Sequence, residues 1–266
     1  MTAATAPIAI PHPPVLDRAR PWLLAAILVA LLTWSFVPVE IFKAKMLWTD
    51  SKNMSEFAAA FLKPNFRDWR DYMAEMISTV QIAIWGTALA VLVGAPLAVL
   101  ASANVAPPWV VWPVRRLMDI LRAINEIVLA LLFVVAVGLG PFAGVMALFV
   151  HNIGVVSKLF SEAVEAIDQR PVEGIRATGA SRVQEVLYGV IPQVIPLWSS
   201  LALYRFETNV RSATVLGIIG AGGIGQTLYQ SIQSFHYGET AACVIIVIVT
   251  VMLIDMTSSW LRSLLV

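Results

Sequence analysis

Residues 162–196, EAVEAIDQRPVEGIRATGASRVQEVLYGVIPQVIP, form a polar segment punctuated by helix signals and set between two long apolar stretches. Pro171 fits the first turn of a helix, where its missing N–H is one of the donors left unpaired anyway. Gly179 fits the left-handed position that closes such a helix. Ser181 and Gln184 have the spacing of a capping box that opens a second helix, and Pro192 and Pro196 restrict where that helix continues. The segment therefore predicts a short helix, a glycine turn and another short helix. That device suits docking into a groove on a soluble partner.

The sequence around it is apolar. Of 266 residues, 59% are hydrophobic and 13% charged, about half the charge of an ordinary soluble domain at ~25%. No soluble fold of this size hides so much apolar surface, so the expected class is an all-α integral membrane protein. The net charge of +1 and the scattering of 18 basic residues provide no concentrated footprint for nucleic acid. The single Cys243 excludes an intrachain disulfide, and no metal site is expected. Residues 1–14 are rich in Pro and Ala and are expected to be disordered. They lack a signal-peptide start and cleavage site, so the first span is expected to be retained.

Six spans are expected, at 21–39, 76–101, 120–138, 143–160, 193–216 and 239–260, each near the ~20 residues that cross hydrocarbon. Residues 40–75 mix six basic with six acidic residues and include Phe57, Phe61, Phe66, Trp69 and Tyr72, a pattern suited to interfacial helices. Lys and Arg near span ends set orientation. Arg18, Arg20, Arg115, Arg116, Arg122, Lys158, Arg170, Arg176, Arg182 and Arg262 fall on one side. The opposite turn at 138–142 and the segment 217–238 have neither. Both termini and the loop 161–192 are thus expected to be cytoplasmic. The domain plan is a tail at 1–20, a first span with a periplasmic interfacial segment at 21–75, a core at 76–260 and a cytoplasmic end at 261–266.

The fifth span carries Arg205, Glu207, Asn209 and Arg211. Charges at mid-membrane cost several kcal/mol unless paired or hydrated, which makes them functional-site candidates. Glu207 and Arg211 are four apart and are expected to pair, leaving Arg205 about 200° away and in need of a carboxylate, water or an anionic substrate. The planar guanidinium suits an oxyanion such as a phosphonate. A charge network that locks helices together is the competing reading. His151 and Asn152 in the fourth span are either packing residues or pathway lining. Arg122 and Glu126 read as a local interfacial pair, and Glu162, Glu165 and Asp168 as a solvated acidic face. Gly220, Gly222, Gly223 and Gly225 concentrate in GIIGAGGIG, residues 217–225. That run suits a break or re-entrant bend used for gating or close packing. No strand or βαβ unit surrounds it, so a dinucleotide site is disfavoured. No G-x-x-x-x-G-K-[ST], H-E-x-x-H or G-x-S-x-G occurs, so no catalytic residues are expected and the chain is not expected to be an enzyme on its own.

The loop resembles the cytoplasmic signature of membrane permease subunits of ATP-binding-cassette importers: a Glu-Ala-Ala triplet, a glycine four residues on, then a hydrophobic stretch ending in Pro. Glu173, Gly174 and Ile175 fall on the triplet, Gly179 on the glycine, followed by Ala180, and Gly189, Ile191 and Pro192 on the closing stretch. The triplet departs from the pattern at two of three positions. VQIAIWGTALAVLVGAPLAVL, PVRRLMDILRAINEIVLALLFVVAVGLGPFAGVMAL and YRFETNVRSATVLGIIGAGGIG further resemble the phosphonate-importer permeases, of the methionine-importer-like type.

The resemblance implies the importer permease fold in a bacterial inner membrane, two copies of this chain, two cytoplasmic ATP-binding subunits and a periplasmic phosphonate-binding protein. ATP and Mg belong to the ATPase, and this chain binds no cofactor. Glu173, Gly174, Ile175, Gly179 and Ala180 would couple to the ATPase. Six short spans enclose little room for a pathway, which favours symmetric pairing. Phosphite or phosphate are alternative substrates. An ion-coupled secondary anion transporter is the rival class, since broken helices and midplane charges mark it too. A membrane-embedded enzyme is disfavoured by the missing catalytic groups.

Overall fold

The computed structural model describes residues 15–46, 55, 58, 59 and 61–265. The chain divides into two units, Met1–Ala59 and Ala60–Val266. The tail expected to be disordered, 1–14, and Phe57 of the expected interfacial segment lie outside the described residues. The first unit holds α1 (Val15–Phe36), whose side chains from Arg20 onward are exposed apart from a half-buried Ser35, and a short 3-10 helix, Ile41–Lys45.

The regular elements of the second unit's described residues are all helices: α2 (Trp69–Ala101), α3 (Pro108–Ala123), α4 (Glu126–Val137), α5 (Pro141–Glu165), α6 (Gln169–Ala177), α7 (Arg182–Ile218), α8 (Ile224–Gln233) and α9 (Tyr237–Leu265). Four of these, α2, α5, α7 and α9, are long and apolar enough to cross a membrane. A fifth span results if α3 and α4 are taken together, and the apolar part of α1, Arg20–Phe36, is shorter. The described residues therefore support four or five spans rather than the six expected.

Two expected boundaries are corrected. The second span begins at Trp69, because Tyr72 and Met76 are buried and extend the apolar face of α2 outward. Trp69 to Glu75 thus belong to a long helix, not to an interfacial one. The expected span 120–138 is broken, with α3 and α4 meeting at 82°. Asn125 causes the break: it leaves the helix in an extended conformation, and its Oδ1 accepts from Ile127 N–H at 2.9 Å, starting α4 afresh. Twelve residues of α4 extend about 18 Å, too little to cross ~30 Å of hydrocarbon alone.

α2 packs along α5 through a seam of small buried residues, Ala83, Gly86, Ala90, Gly94 and Ala98, at helical spacing. Small side chains let helix backbones approach closely where no hydrophobic effect drives association. One apolar cluster joins Met76, Ile82, Leu148, Leu216, Ile224 and Ile246 from α2, α5, α7, α8 and α9. A second cluster, with Val156, Phe160, Val172, Val190 and Trp198, ties the 166–190 loop to α5 and α7. Phe160 and Trp198 stack at 4.6 Å, and the indole N–H donates to the Phe160 carbonyl at 3.1 Å.

α7 is not interrupted by its prolines. Residues Glu185–Val190 form a π-helical turn in which Ile191 N–H donates to Val186 O, and the helix then runs on through Pro192 and Pro196. The wider turn accommodates Pro192, which has no N–H to donate, so the helix continues through the two prolines that were expected to restrict it. At its other end α7 closes in a Schellman arrangement: Ala221 N–H donates to Leu216 O at 3.2 Å and Gly220 N–H to Gly217 O at 3.0 Å.

Candidate functional site

The coupling-loop candidates lie on α6 and the turn after it. Asp168, expected to be part of a solvated acidic face, is exposed and also caps α6 by accepting from Arg170 N–H at 3.0 Å. Pro171 occupies the first turn. Gly179 sits at φ +83 with open space around it, so the left-handed turn alone demands glycine there. Gln184 Oε1 accepts from Ser181 N–H at 2.8 Å, completing the expected reciprocal cap. Glu173, Gly174 and Gly179 are exposed, and Ile175 and Ala180 half-buried. Arg176 grips Glu185 through two parallel hydrogen bonds of 3.1 and 2.9 Å, binding α6 to the π turn. The guanidinium holds the Glu185 carboxyl below the usual carboxylate range, and Glu185 in turn raises Arg176. The backbone of Gly189 passes so close that a Cβ there would stand 3.1 Å from Val172 Cα. Val183, Leu187 and Tyr188 on the first turns of α7 stay exposed.

Between α2, α5 and α7 runs a chain of buried polar groups. Arg205 Nε donates to Asn152 Oδ1 at 3.1 Å, and its Nη2 reaches the same oxygen. Asn152 Nδ2 donates to Asn209 Oδ1 at 3.0 Å, and Asn209 Nδ2 to Thr87 Oγ1 at 2.7 Å. Asn152 and Asn209 are fully buried and Thr87 nearly so. Arg205 and Asn209, four apart, therefore share the α7 face toward α5. The Nη1 amino group of Arg205 has no hydrogen-bond partner among the described residues.

Two expected pairings are overturned. Glu207 does not pair with Arg211. It meets Arg262 of α9 at 2.8 Å, in ion contact without the alignment of a hydrogen bond, while Arg211 meets Asp255 of α9 at 3.1 Å. Glu207 and Arg211 do share a face, as their spacing required. That face abuts α9, where Asp255 and Arg262, seven residues and two turns apart, offer each a better-placed counter-charge. Nor does Arg122 pair with Glu126. The bend at Ile124–Asn125 separates them: Arg122 binds Asp119 at 2.9 Å, and Glu126 turns inward to accept from the Ser212 hydroxyl at 2.6 Å.

Glu126 Oε2 also lies 3.3 Å from His151 Nε2, and His151 Nδ1 lies 2.9 Å from the Ile124 carbonyl. A carbonyl only accepts, so Nδ1 carries a proton. Asp255, Arg262, Thr87 and Ser212 escaped sequence reasoning. For the first two the available signal was Asp255 inside the last apolar span and Arg262 just beyond it, seven residues apart; Arg262 entered only as an orienting base. Hydroxyls within apolar helices provide none.

The glycine run forms a tight inner turn. Gly220, Gly222 and Gly223 have φ of +90, +78 and +78, and Ile224 N–H donates to Thr79 Oγ1 at 2.9 Å. Thr79 is ten residues inside α2, about 15 Å from its start, so the turn meets α2 along its length rather than at its end. A Cβ on Gly225 would fall 1.9 Å from Thr214 O. Gly140 N–H donates to Gly220 O at 3.0 Å, fixing the α4–α5 turn against it.

With this geometry in view, residues 90–266 match the family of binding-protein-dependent transport system inner membrane components. The chain belongs to this family. It is 38% identical over 226 residues to the phosphite transport system permease protein PtxC of Stutzerimonas stutzeri, covering 85% of this chain and 82% of the relative. It is 60% identical over 118 residues to the putative cryptic phosphonate transport system permease protein PhnE2 of Escherichia coli strain K12, covering 44% of this chain and 97% of that one. The fold is similar to that of a chain in an inward-facing structure of the MetNI methionine ABC transporter. There the TM-score is 0.64 at 21% identity, covering 73% of this chain and 95% of that chain. This permease is thus a membrane transport subunit of an ABC importer and not itself the ATPase. Membership removes the secondary-carrier and membrane-enzyme readings.

Proposed function

We propose that this chain is the permease of an ATP-driven importer for phosphonate or a closely related phosphorus oxyanion in a bacterial inner membrane. The observation that carries the substrate class is Arg205, a cation inside the bundle fixed by Asn152 with an amino group left for a ligand. Such a group, pre-positioned by a buried Asn152–Asn209–Thr87 chain, suits a tetrahedral oxyanion that must bind and then leave. The names of the phosphite and phosphonate permeases that the chain resembles support the same class.

α6, the Gly179 turn and the exposed Val183, Leu187 and Tyr188 form the face that docks into a cytoplasmic ATPase. The second core cluster links this face to α5 and α7, so ATP-driven closure would be passed to the spans holding Arg205 and Asn152. This end carries Arg115, Arg116, Arg170, Arg176 and Arg182, which supports its placement in the cytoplasm. A second copy of the chain would complete the pathway, with a periplasmic binding protein delivering the anion. Two states biased by differential binding at the two faces suffice for alternating access. Asn152, Asn209 and His151 would line the same pathway, and the 220–225 turn would gate it.

The test is reconstitution of this chain with its ATPase and binding protein in liposomes. ATP-dependent uptake of methylphosphonate, lost in Arg205→Gln at unchanged assembly, is the expected result. Uptake that is indifferent to Arg205, or competition only by solutes without phosphorus, would overturn the reading.

A further inference from the structure

α3 is amphipathic, and its polar face is more basic than an interfacial helix needs. Arg115, Arg116 and Arg122 line, with Lys158 of α5, a cleft of about 550 Å³ closed behind by Met118 and Val111. A second cleft of about 600 Å³ shares Asp119, Arg122 and Lys158 with the first and extends to His151. The clefts therefore adjoin across Asp119, Arg122 and Lys158, reaching from His151 to the open face of α3.

The charges do not cancel. Asp119 is divided between Arg116 at 3.3 Å and Arg122 at 2.9 Å, Glu165 holds Arg115, and Glu162 meets Lys158 at 3.2 Å. Four cations thus face three carboxylates, two of which, Glu162 and Glu165, are outside the lining of either cleft. Arg116 is also steadied at 5.8 Å over the Trp112 ring. Asp119 meets Arg116 with Oδ2 and Arg122 with Oδ1, so one negative charge is set against two positive ones. The arrangement leaves guanidinium donors and an ammonium converging on a pocket of ligand size.

We infer that the joined clefts of α3 and α5 bind a tetrahedral phosphorus oxyanion on the coupling-loop side, with Arg122 and Lys158 as its shared contacts. The inference rests on the proposed phosphorus-oxyanion substrate for one of two sources of that group: a solute leaving the bundle past His151, or the phosphodiester of an anionic lipid. In the first case the clefts are an exit site, and in the second a headgroup site beside the pathway.

The test uses the full chain assembled with its ATPase, without ATP, in phosphatidylcholine nanodiscs. Equilibrium dialysis measures bound inorganic phosphate, and mass spectrometry counts phosphatidylglycerol retained from mixed nanodiscs. Arg122→Gln with Lys158→Gln is expected to weaken whichever of the two binds by at least tenfold. The charge-preserving Arg122→Lys with Lys158→Arg, which also controls for folding, should weaken it less than threefold. Phosphate binding with this pattern identifies the solute, and lipid retention alone with this pattern identifies the headgroup. Phosphate binding abolished by Arg205→Gln but indifferent to the cleft variants would overturn the inference while leaving the central site intact. Absence of both ligands from the wild-type complex would overturn it as well. Cleft binding in a complex that takes up no methylphosphonate would instead defeat the substrate reading and keep the site.

Discussion

At the level of single residues, the pairing of Glu207 with Arg262 places a nearly buried carboxylate against one counter-charge. The Glu207 side chain is only 7% exposed, and removing one partner of a buried ion pair typically costs ~3–5 kcal/mol because the other charge is stranded. Arg262→Ala should therefore lower the thermal midpoint of the detergent-purified protein sharply. Adding Glu207→Gln should restore most of the loss, because a neutral amide is cheaper to bury. A double variant no more stable than the single would show that Arg262 acts by packing and not by charge. The Arg176–Glu185 fork has a pH dependence of determinate sign. Glu185 titrates below the usual carboxylate range when folded, so its contribution is complete above the unfolded value near ~4.3 and is lost as pH falls through the lower folded value. Hydrogen exchange of residues 169–190 should be flat from pH 5 to 8 after correction for intrinsic rates. Loosening should appear only below about pH 4.

The same residue type has opposite roles on different elements. Gly174 lies mid-helix in α6, and a methyl added there would meet nothing within 4 Å. Gly174→Ala should stabilise α6 by up to ~1 kcal/mol and leave transport intact. Gly179→Val places a β-branched residue at φ +83. It should cost about 1–2 kcal/mol locally and uncouple ATP hydrolysis from transport while the protein still reaches the membrane. Gly225→Ala drives a methyl into Thr214 O, forcing α8 away from α7. Reduced thermal stability without loss of ATPase docking is the expected outcome, measured by co-purification. Equal tolerance of all three substitutions would contradict these assignments.

For the second unit as a whole, the loops at 102–107 and 166–182 lie at one end. Asn104 donates to Val164 O at 2.8 Å and Arg182 to Val105 O at 3.5 Å. The α8–α9 turn is at the other end of α9. Cysteines at the exposed Ser181 and Ser234, in a Cys243→Ala background, should label from opposite faces of intact membranes. Ser181 should react only after permeabilisation. Labelling of both from one face would remove the cytoplasmic placement of the coupling loop.

The sequence alone determined what depends on nearest neighbours along the chain. The cap at Ser181–Gln184, the left-handed Gly179, a break within 217–225 and the membrane class follow from backbone sterics, hydrogen-bond valence and apolar content, all local quantities. The shared face of Glu207 and Arg211, and the divergence of Arg205 from it, were likewise fixed by helical periodicity. What faced those surfaces was not. A buried charge takes whichever counter-charge the packing brings nearest, and Asp255 and Arg262 are forty or more residues away in sequence. The bend at Asn125 had the same effect on Glu126, carrying it from Arg122 to His151 and Ser212. Only the tertiary structure decided these pairings, because electrostatic and hydrogen-bond energies depend on distance in space and not on separation along the chain.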